Sequence, residues 1–176
     1  MTTTILFDIG GTLVHADPPA TPLGELVARP VDVAVRSLRA LATRYRLGAV
    51  TDTAVMTSAQ VRAALGDTGL AELLEVIVTS ADVGAAKPDP RGILAALAAL
   101  STGPGETLFV GDADADAGAA RAAGVRFAPT GPQHDPGLAV RAAIAAEAGT
   151  YAAAAALVGP VDEDAAGGAR AHHDRL

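Results

Sequence analysis

Five short apolar runs, each closed by a polar or glycine-bearing turn and separated by stretches of helical spacing, constrain this chain more than any other feature. Thr4-Ile5-Leu6-Phe7 ends in Asp8-Ile9-Gly10-Gly11 and reads as a buried parallel strand stopped by a glycine turn. After Pro30, a favourable first-turn residue, Val35, Leu38, Leu41, Ala42 and Tyr45 predict a helix from Val31 that leads into a strand at Leu47 to Thr51. The pattern repeats with a helix from Ser58 to Leu65, a strand from Val76 to Val78, a helix from Pro90 to Leu100, and a strand from Thr107 to Val110. A helix from Ala115 to Ala123, stopped by Gly124, precedes a fifth strand at Val125 to Phe127. Such alternation forces right-handed crossovers. The expected class is α/β: a doubly wound, Rossmann-like parallel sheet of about five strands flanked by helices, in a single domain.

Composition narrows what such a domain can do. Half of the 176 residues are apolar but only 3% are aromatic, so the core is expected to be built from Ala, Val, Leu and Ile. A formal charge of −7 disfavours nucleic acid as a partner, because that binding depends on clustered Lys and Arg. With no cysteine there is no disulfide framework and no thiolate metal site. The start MTTTILFDIGG lacks the regions of a signal peptide, and no apolar run approaches the roughly 18 residues that span a bilayer. A cytoplasmic protein without a membrane partner is expected. Residues 1–130 form the expected core; 131–158 read as a C-terminal helical extension, with a helix from Leu138 to Ala148, and 159–176 as a polar, mobile tail.

In open α/β sheets, ligands bind beyond the carboxyl ends of the strands. Here those ends carry Asp8, Thr51 and Asp52, Lys87 in the loop after the third strand, and Asp112 with Asp116 after the fourth. Carboxylates crowded into one place cannot all stay ionised without a compensating cation. All-oxygen ligands with no Cys or nearby His point to magnesium. Lys87, the only lysine in the chain, and the Thr51 hydroxyl would then serve an anionic ligand such as phosphate. Each residue also has a plainer reading: Asp8 as a turn carboxylate, Thr51 as a strand end, Asp52 as a helix cap, Lys87 as a solvated loop residue, and Asp112 and Asp116 as helix N-terminal charges. His15, His134, His172 and His173 show no ligand spacing and read as surface residues.

Taken in order, the segments resemble the four motifs of the haloacid dehalogenase superfamily across roughly residues 4 to 127. Phe7-Asp8-Ile9-Gly10-Gly11-Thr12-Leu13 resembles its nucleophile motif, Thr51 its phosphate-binding hydroxyl, Val83-Gly84-Ala85-Ala86-Lys87-Pro88-Asp89-Pro90 its lysine motif, and Val110-Gly111-Asp112 through Asp116 its acidic motif. The resemblance implies a phosphohydrolase in which Asp8 attacks phosphorus to form an aspartyl-phosphate. Lys87 would assist it, while Thr51, Asp52 and Lys87 would lie against the phosphoryl group. Magnesium would be held by Asp8, the Gly10 carbonyl and Asp112, with Asp116 just behind them.

One position departs from that pattern. Phosphatases of the family carry a second aspartate two residues after the nucleophile, and here Gly10 stands in its place. Losing a positioned general acid/base lowers rates about 100- to 10,000-fold. Three readings follow: activity restricted to good leaving groups such as acyl phosphates, a borrowed proton carrier such as Asp52, Asp114 or a substrate group, or a catalytically impaired relative that binds a phosphorylated ligand or protein. The phosphonatase branch needs a second lysine that the chain lacks, dehalogenases need no metal site, and actin-like kinases need two larger domains. No sizeable cap insertion is expected between Leu13 and Pro30 or between Asp52 and Ala86. The open site would admit a small phosphorylated substrate or a phosphoprotein, or be covered by a second subunit or by the C-terminal segment.

Overall fold

The computed structural model describes residues 1–15, 28–53, 55–131 and 134–148. Five strands, β1 (Thr4–Phe7), β2 (Arg46–Thr51), β3 (Val76–Thr79), β4 (Thr107–Gly111) and β5 (Arg126–Pro129), form one parallel sheet in the order β3-β2-β1-β4-β5. The predicted α/β doubly wound class is therefore the observed one. From β1 the chain builds outward through β2 to β3, then returns to the other side of β1 to lay down β4 and β5. The loops leaving β1 and β4 diverge as a result, and a crevice opens at their carboxyl ends.

Among the described residues, six α-helices cover the sheet: α1 (Ala34–Ala42), α2 (Ser58–Ala64), α3 (Ser80–Val83), α4 (Arg91–Ala99), α5 (Asp114–Ala122) and α6 (Pro136–Ala148). Successive strand residues point to opposite faces, which sorts the core into two layers. Ile5, Phe7, Leu108 and Val110 pack with Leu38 and Leu41 of α1, Val61 of α2 and Val140 of α6. Leu6, Val50, Val78 and Phe109 pack on the other side with Ile93 and Leu97 of α4 and Ala119 and Ala120 of α5. Burial on both faces is why the strands read as unbroken apolar runs rather than alternating ones.

Element boundaries differ from expectation mainly at α1. Pro30 does not open the helix; it pairs antiparallel with Val14, and the amide of Val31 donates to the carbonyl of Leu13 at 2.9 Å. That extended pairing holds residues 29–31 against 13–15 and delays the helix to Ala34. Tyr45 lies in the turn after α1, half-buried against the same core, rather than on the helix. The short α3 was not expected; the Thr79 hydroxyl caps it by accepting from the Asp82 amide at 3.2 Å.

The segment from Leu13 to Pro30 includes residues 16–27, outside the described residues; between Asp52 and Ala86 the described residues hold α2, a 3-10 turn at Gly66–Thr68, β3 and α3. Helix α6 packs on α1, β4 and β5, with Val140 and Ala145 buried. The expectations for residues 149–176 also fall outside the described residues.

Candidate active site

Every residue singled out at the strand ends lies at the same crevice. A cleft of about 250 Å3 is lined by Asp8, Gly10, Thr51, Asp52, Lys87, Asp112, Ala113, Ala115 and Asp116. Asp8 follows β1 directly, Thr51 ends β2, Asp112 follows β4, and Asp116 sits in the first turn of α5. Local sequence makes these ends polar, but the strand order is what brings β1 and β4 side by side.

Lys87 binds the cluster together. Its Nζ lies 2.5 Å from Asp8 Oδ1 and 2.6 Å from Asp116 Oδ1, with the Val50 carbonyl at 3.4 Å. The ammonium also lies 5.8 Å from the centroid of the Phe109 ring, a cation–π placement. All three ionic side chains are nearly out of solvent, at 6% exposure for Lys87, 8% for Asp8 and 1% for Asp116. Around them the partners are fixed: Asp116 Oδ2 accepts from the Ala113 amide at 3.0 Å, and Asp112 Oδ1 accepts from the Thr12 hydroxyl at 3.4 Å. The Lys87 amide donates to Asp52 Oδ1 at 3.1 Å, so Asp52, read from sequence as a phosphate ligand, anchors the backbone of the Lys87 loop.

The electrostatics follow from this crowding. Burial, with Asp116 and Asp112 adding like charge, pushes the Asp8 carboxyl from an ordinary 3.8 up to about 7, although Lys87 pulls it back. Burial alone would draw the Lys87 ammonium down, but Asp8 and Asp116 outweigh it and hold the group above the ordinary lysine range. Three carboxylates thus face one ammonium. Asp8, Asp112 and Asp116 each offer an oxygen, and those oxygens lie within 4.8 Å of one another. The donor set therefore fits a hard divalent cation, which would supply the missing positive charge.

Two glycines shape the entrance. Gly11 has φ +81°, and a Cβ there would lie 2.3 Å from Asp112 Oδ2, so glycine is what lets Asp112 approach the β1 turn. At Gly10 the opposite holds: a Cβ would meet nothing within 4 Å. Among the described residues, no protein atom occupies the space a side chain there would take. Thr12, the Val50 carbonyl and the Phe109 ring were not anticipated as parts of the site. Thr12 stood inside the glycine turn quoted above, whereas no sequence signal marks a carbonyl or a ring across the sheet.

A doubly wound sheet with a buried carboxylate at the end of its first strand, a lone ammonium beside it and an acidic turn after the fourth strand defines a class of hydrolase-like domain. Residues 27–129 match the family described as haloacid dehalogenase-like hydrolase, and the chain belongs to that family. The matched span contains Thr51, Lys87, Asp112 and Asp116 but begins after Asp8 and Gly10. A phosphoglycolate phosphatase of Cereibacter sphaeroides is 39% identical over 97 residues, covering 55% of this chain and 41% of that protein. The match thus spans about two fifths of that relative's length. Among solved structures, a HAD-superfamily hydrolase of Ehrlichia chaffeensis shares the fold at TM-score 0.62 and 19% identity, covering 77% of this chain and 91% of the other. A predicted phosphoglycolate phosphatase of Haemophilus somnus 129pt aligns at TM-score 0.52 and 26% identity, covering 59% of this chain and 45% of that one.

Proposed function

We propose that the chain is a magnesium-dependent phosphohydrolase that works through an aspartyl-phosphate on Asp8, slowly or on substrates with good leaving groups. The observation that carries this reading is the 2.5 Å contact between Lys87 and Asp8 inside a carboxylate cluster that fits a divalent cation. Magnesium would be held by Asp8, Asp112 and the Gly10 carbonyl, with Asp116 behind them, and would supply Lewis-acid charge at the phosphoryl group. Lys87 orients the Asp8 carboxylate and neutralises charge beside it, while the Thr51 hydroxyl lines the cleft where phosphoryl oxygens would rest.

Gly10 brings no carboxylate to the leaving group, so ordinary alkyl phosphates would be turned over slowly. The names of the Cereibacter and Haemophilus proteins make small phosphorylated acids, 2-phosphoglycolate first, the natural compounds to assay. A phosphoprotein ligand bound without turnover is the second reading, favoured by the empty space at Gly10. We also propose that the site is used in a cytoplasmic setting and that a second copy of the chain covers its open mouth.

The test is hydrolysis of an activated aryl phosphate with magnesium by the full chain. Turnover that disappears on Asp8→Asn supports the enzyme; absence of turnover on every activated phosphate, with phosphate analogues still bound, moves the assignment to the binding protein.

A further inference from the structure

The cleft holds one carboxylate that lies outside the cation-binding cluster and has an oxygen to spare. Asp8 and Asp116 are both paired with Lys87. Asp112 belongs with them to the three carboxylates whose oxygens lie within 4.8 Å of one another, so a bound cation would draw on its free oxygen. Asp52 stands apart from that group. It follows β2, lines the same cleft and is exposed to solvent. Its Oδ1 accepts from the Lys87 amide at 3.1 Å, and among the described residues Oδ2 has no hydrogen-bond partner. One oxygen is therefore fixed, and the other is available to whatever enters the cleft.

Lys87 also sets where Asp52 stands relative to Asp8. Its backbone amide meets Asp52, and its Nζ meets Asp8 at 2.5 Å, so the two carboxylates sit at opposite ends of one lysine. In phosphoryl transfer the attacking and leaving oxygens lie on opposite sides of phosphorus. A group that serves the leaving oxygen must therefore stand across the phosphoryl group from the nucleophile, not beside it. A side chain at position 10 would approach from the β1 turn, whereas Asp52 approaches from the end of β2, the neighbouring strand.

We propose, resting on the phosphohydrolase reading above, that Asp52 is the proton carrier for the leaving group, taking from β2 the role that Gly10 leaves vacant on the β1 turn. In the first step an Asp8 carboxylate oxygen bonds to phosphorus as the bond from phosphorus to the alkoxy oxygen breaks. The electron pair leaves on that oxygen, which takes the proton of the Asp52 carboxyl. In the second step a water oxygen bonds to phosphorus, the bond between phosphorus and Asp8 breaks, and the electron pair returns to the Asp8 carboxylate. The proton that water loses goes to Asp52, which ends the cycle as it began. Asp52 thus has two duties divided between its oxygens: Oδ1 anchors the Lys87 loop, and Oδ2 handles the proton. Such turnover of alkyl phosphates as the chain has runs through Oδ2.

Asp52→Asn separates the duties, because the asparagine oxygen still accepts from the Lys87 amide while the side chain no longer carries a proton. The experiment measures kcat/KM of the full chain with magnesium on ethyl phosphate and on 4-nitrophenyl phosphate, whose leaving group needs no proton. This ratio reports the steps up to release of the alcohol or phenol, so slow hydrolysis of the phospho-enzyme does not enter it. Asp52→Asn should lower kcat/KM on ethyl phosphate about 100- to 10,000-fold and leave that on 4-nitrophenyl phosphate unchanged. Its melting temperature should match that of the unaltered protein. In a Gly10→Asp background, where the new side chain enters open space, the same substitution should cost little on either ester. Equal losses on the two esters would reduce Asp52 to an anchor for Lys87 and overturn the inference. So would an unchanged rate on ethyl phosphate, no turnover of ethyl phosphate by the unaltered protein, or an undiminished loss in the Gly10→Asp background; the phosphohydrolase reading survives each of these. Failure of the unaltered protein to hydrolyse either ester overturns that reading, and the inference falls with it.

Discussion

A Cβ placed on Gly11 would lie 2.3 Å from Oδ2 of Asp112, residues that stand at the ends of two adjacent strands about a hundred positions apart in the chain. The β1 turn and the acidic turn after β4 therefore fit together only because Gly11 has no side chain. Gly11→Ala is expected to lose about 1–2 kcal/mol of stability from the left-handed backbone alone. It should also displace Asp112 and weaken magnesium binding about 10- to 100-fold, the usual effect of disturbing a metal ligand's support. Calorimetric titration with magnesium checks this; unchanged affinity would separate Asp112 from the metal.

Lys87 is the sole cation inside the cluster among the described residues, touching Asp8 and Asp116 together. Lys87→Met should lower the rate on an activated aryl phosphate about 100- to 1,000-fold, the scale of losing one preorganised charge donor. Lys87→Arg should not restore it, since a planar fork cannot take the place of a compact ammonium between two carboxylates. Initial rates of both variants decide the point, and near-normal activity of either removes Lys87 from the chemistry.

The Asp8 carboxyl, raised to about 7 from 3.8, sets a pH dependence opposite to that of an ordinary ion-paired acid. Because the folded state holds this proton more tightly than the unfolded chain, its contribution favours folding below about pH 4 and is lost as pH rises through about 7. The exposed Glu75, Asp82, Asp89 and Glu147, all held below their usual range by hydrogen bonds, work the other way at acid pH. Metal-free protein should therefore melt lower at pH 8 than at pH 6, and Asp8→Asn should flatten that difference. Added magnesium should raise the melting temperature more at pH 8 than at pH 5, since binding displaces the proton. Thermal melts with and without magnesium at these pH values give the answer; equal magnesium shifts would contradict it.

Asp135 joins α6 to α1. Its Oδ1 accepts from the Gly137 amide at 2.8 Å and from the Ser37 hydroxyl at 2.6 Å, while Arg141 stands 3.4 Å from Oδ2. Asp135→Ala should destabilise the protein by about 1 kcal/mol or somewhat more, the scale of a lost helix cap. Combined with Ser37→Ala the losses should fall short of additive, because both remove the same hydrogen bond. Urea melts of the single and double variants measure the coupling.

Helix and strand were legible because their signals are local. Short runs of three to five residues marked all five strands, those of β1, β2 and β4 closed by Asp8, Asp52 and Gly111, and Pro90 and Gly124 marked the start of α4 and the end of α5. Pro30 misled in the same way that Pro90 succeeded: proline suits a first helical turn, but here pairing with Val14 holds it extended. The four-residue α3 was too short to leave a period in the sequence.

The amino-acid sequence by itself determined the α/β class, the polar residues that would sit at strand ends, and the missing carboxylate at Gly10, since each depends on neighbours within a few positions. Tertiary structure alone decided that Lys87 reaches Asp8 across 79 positions, that Asp52 holds the Lys87 backbone, and that Gly11 makes room for Asp112. Those relationships come from the order in which parallel strands pair around β1. That order is set by how the two apolar faces are jointly buried, and no local pattern records it.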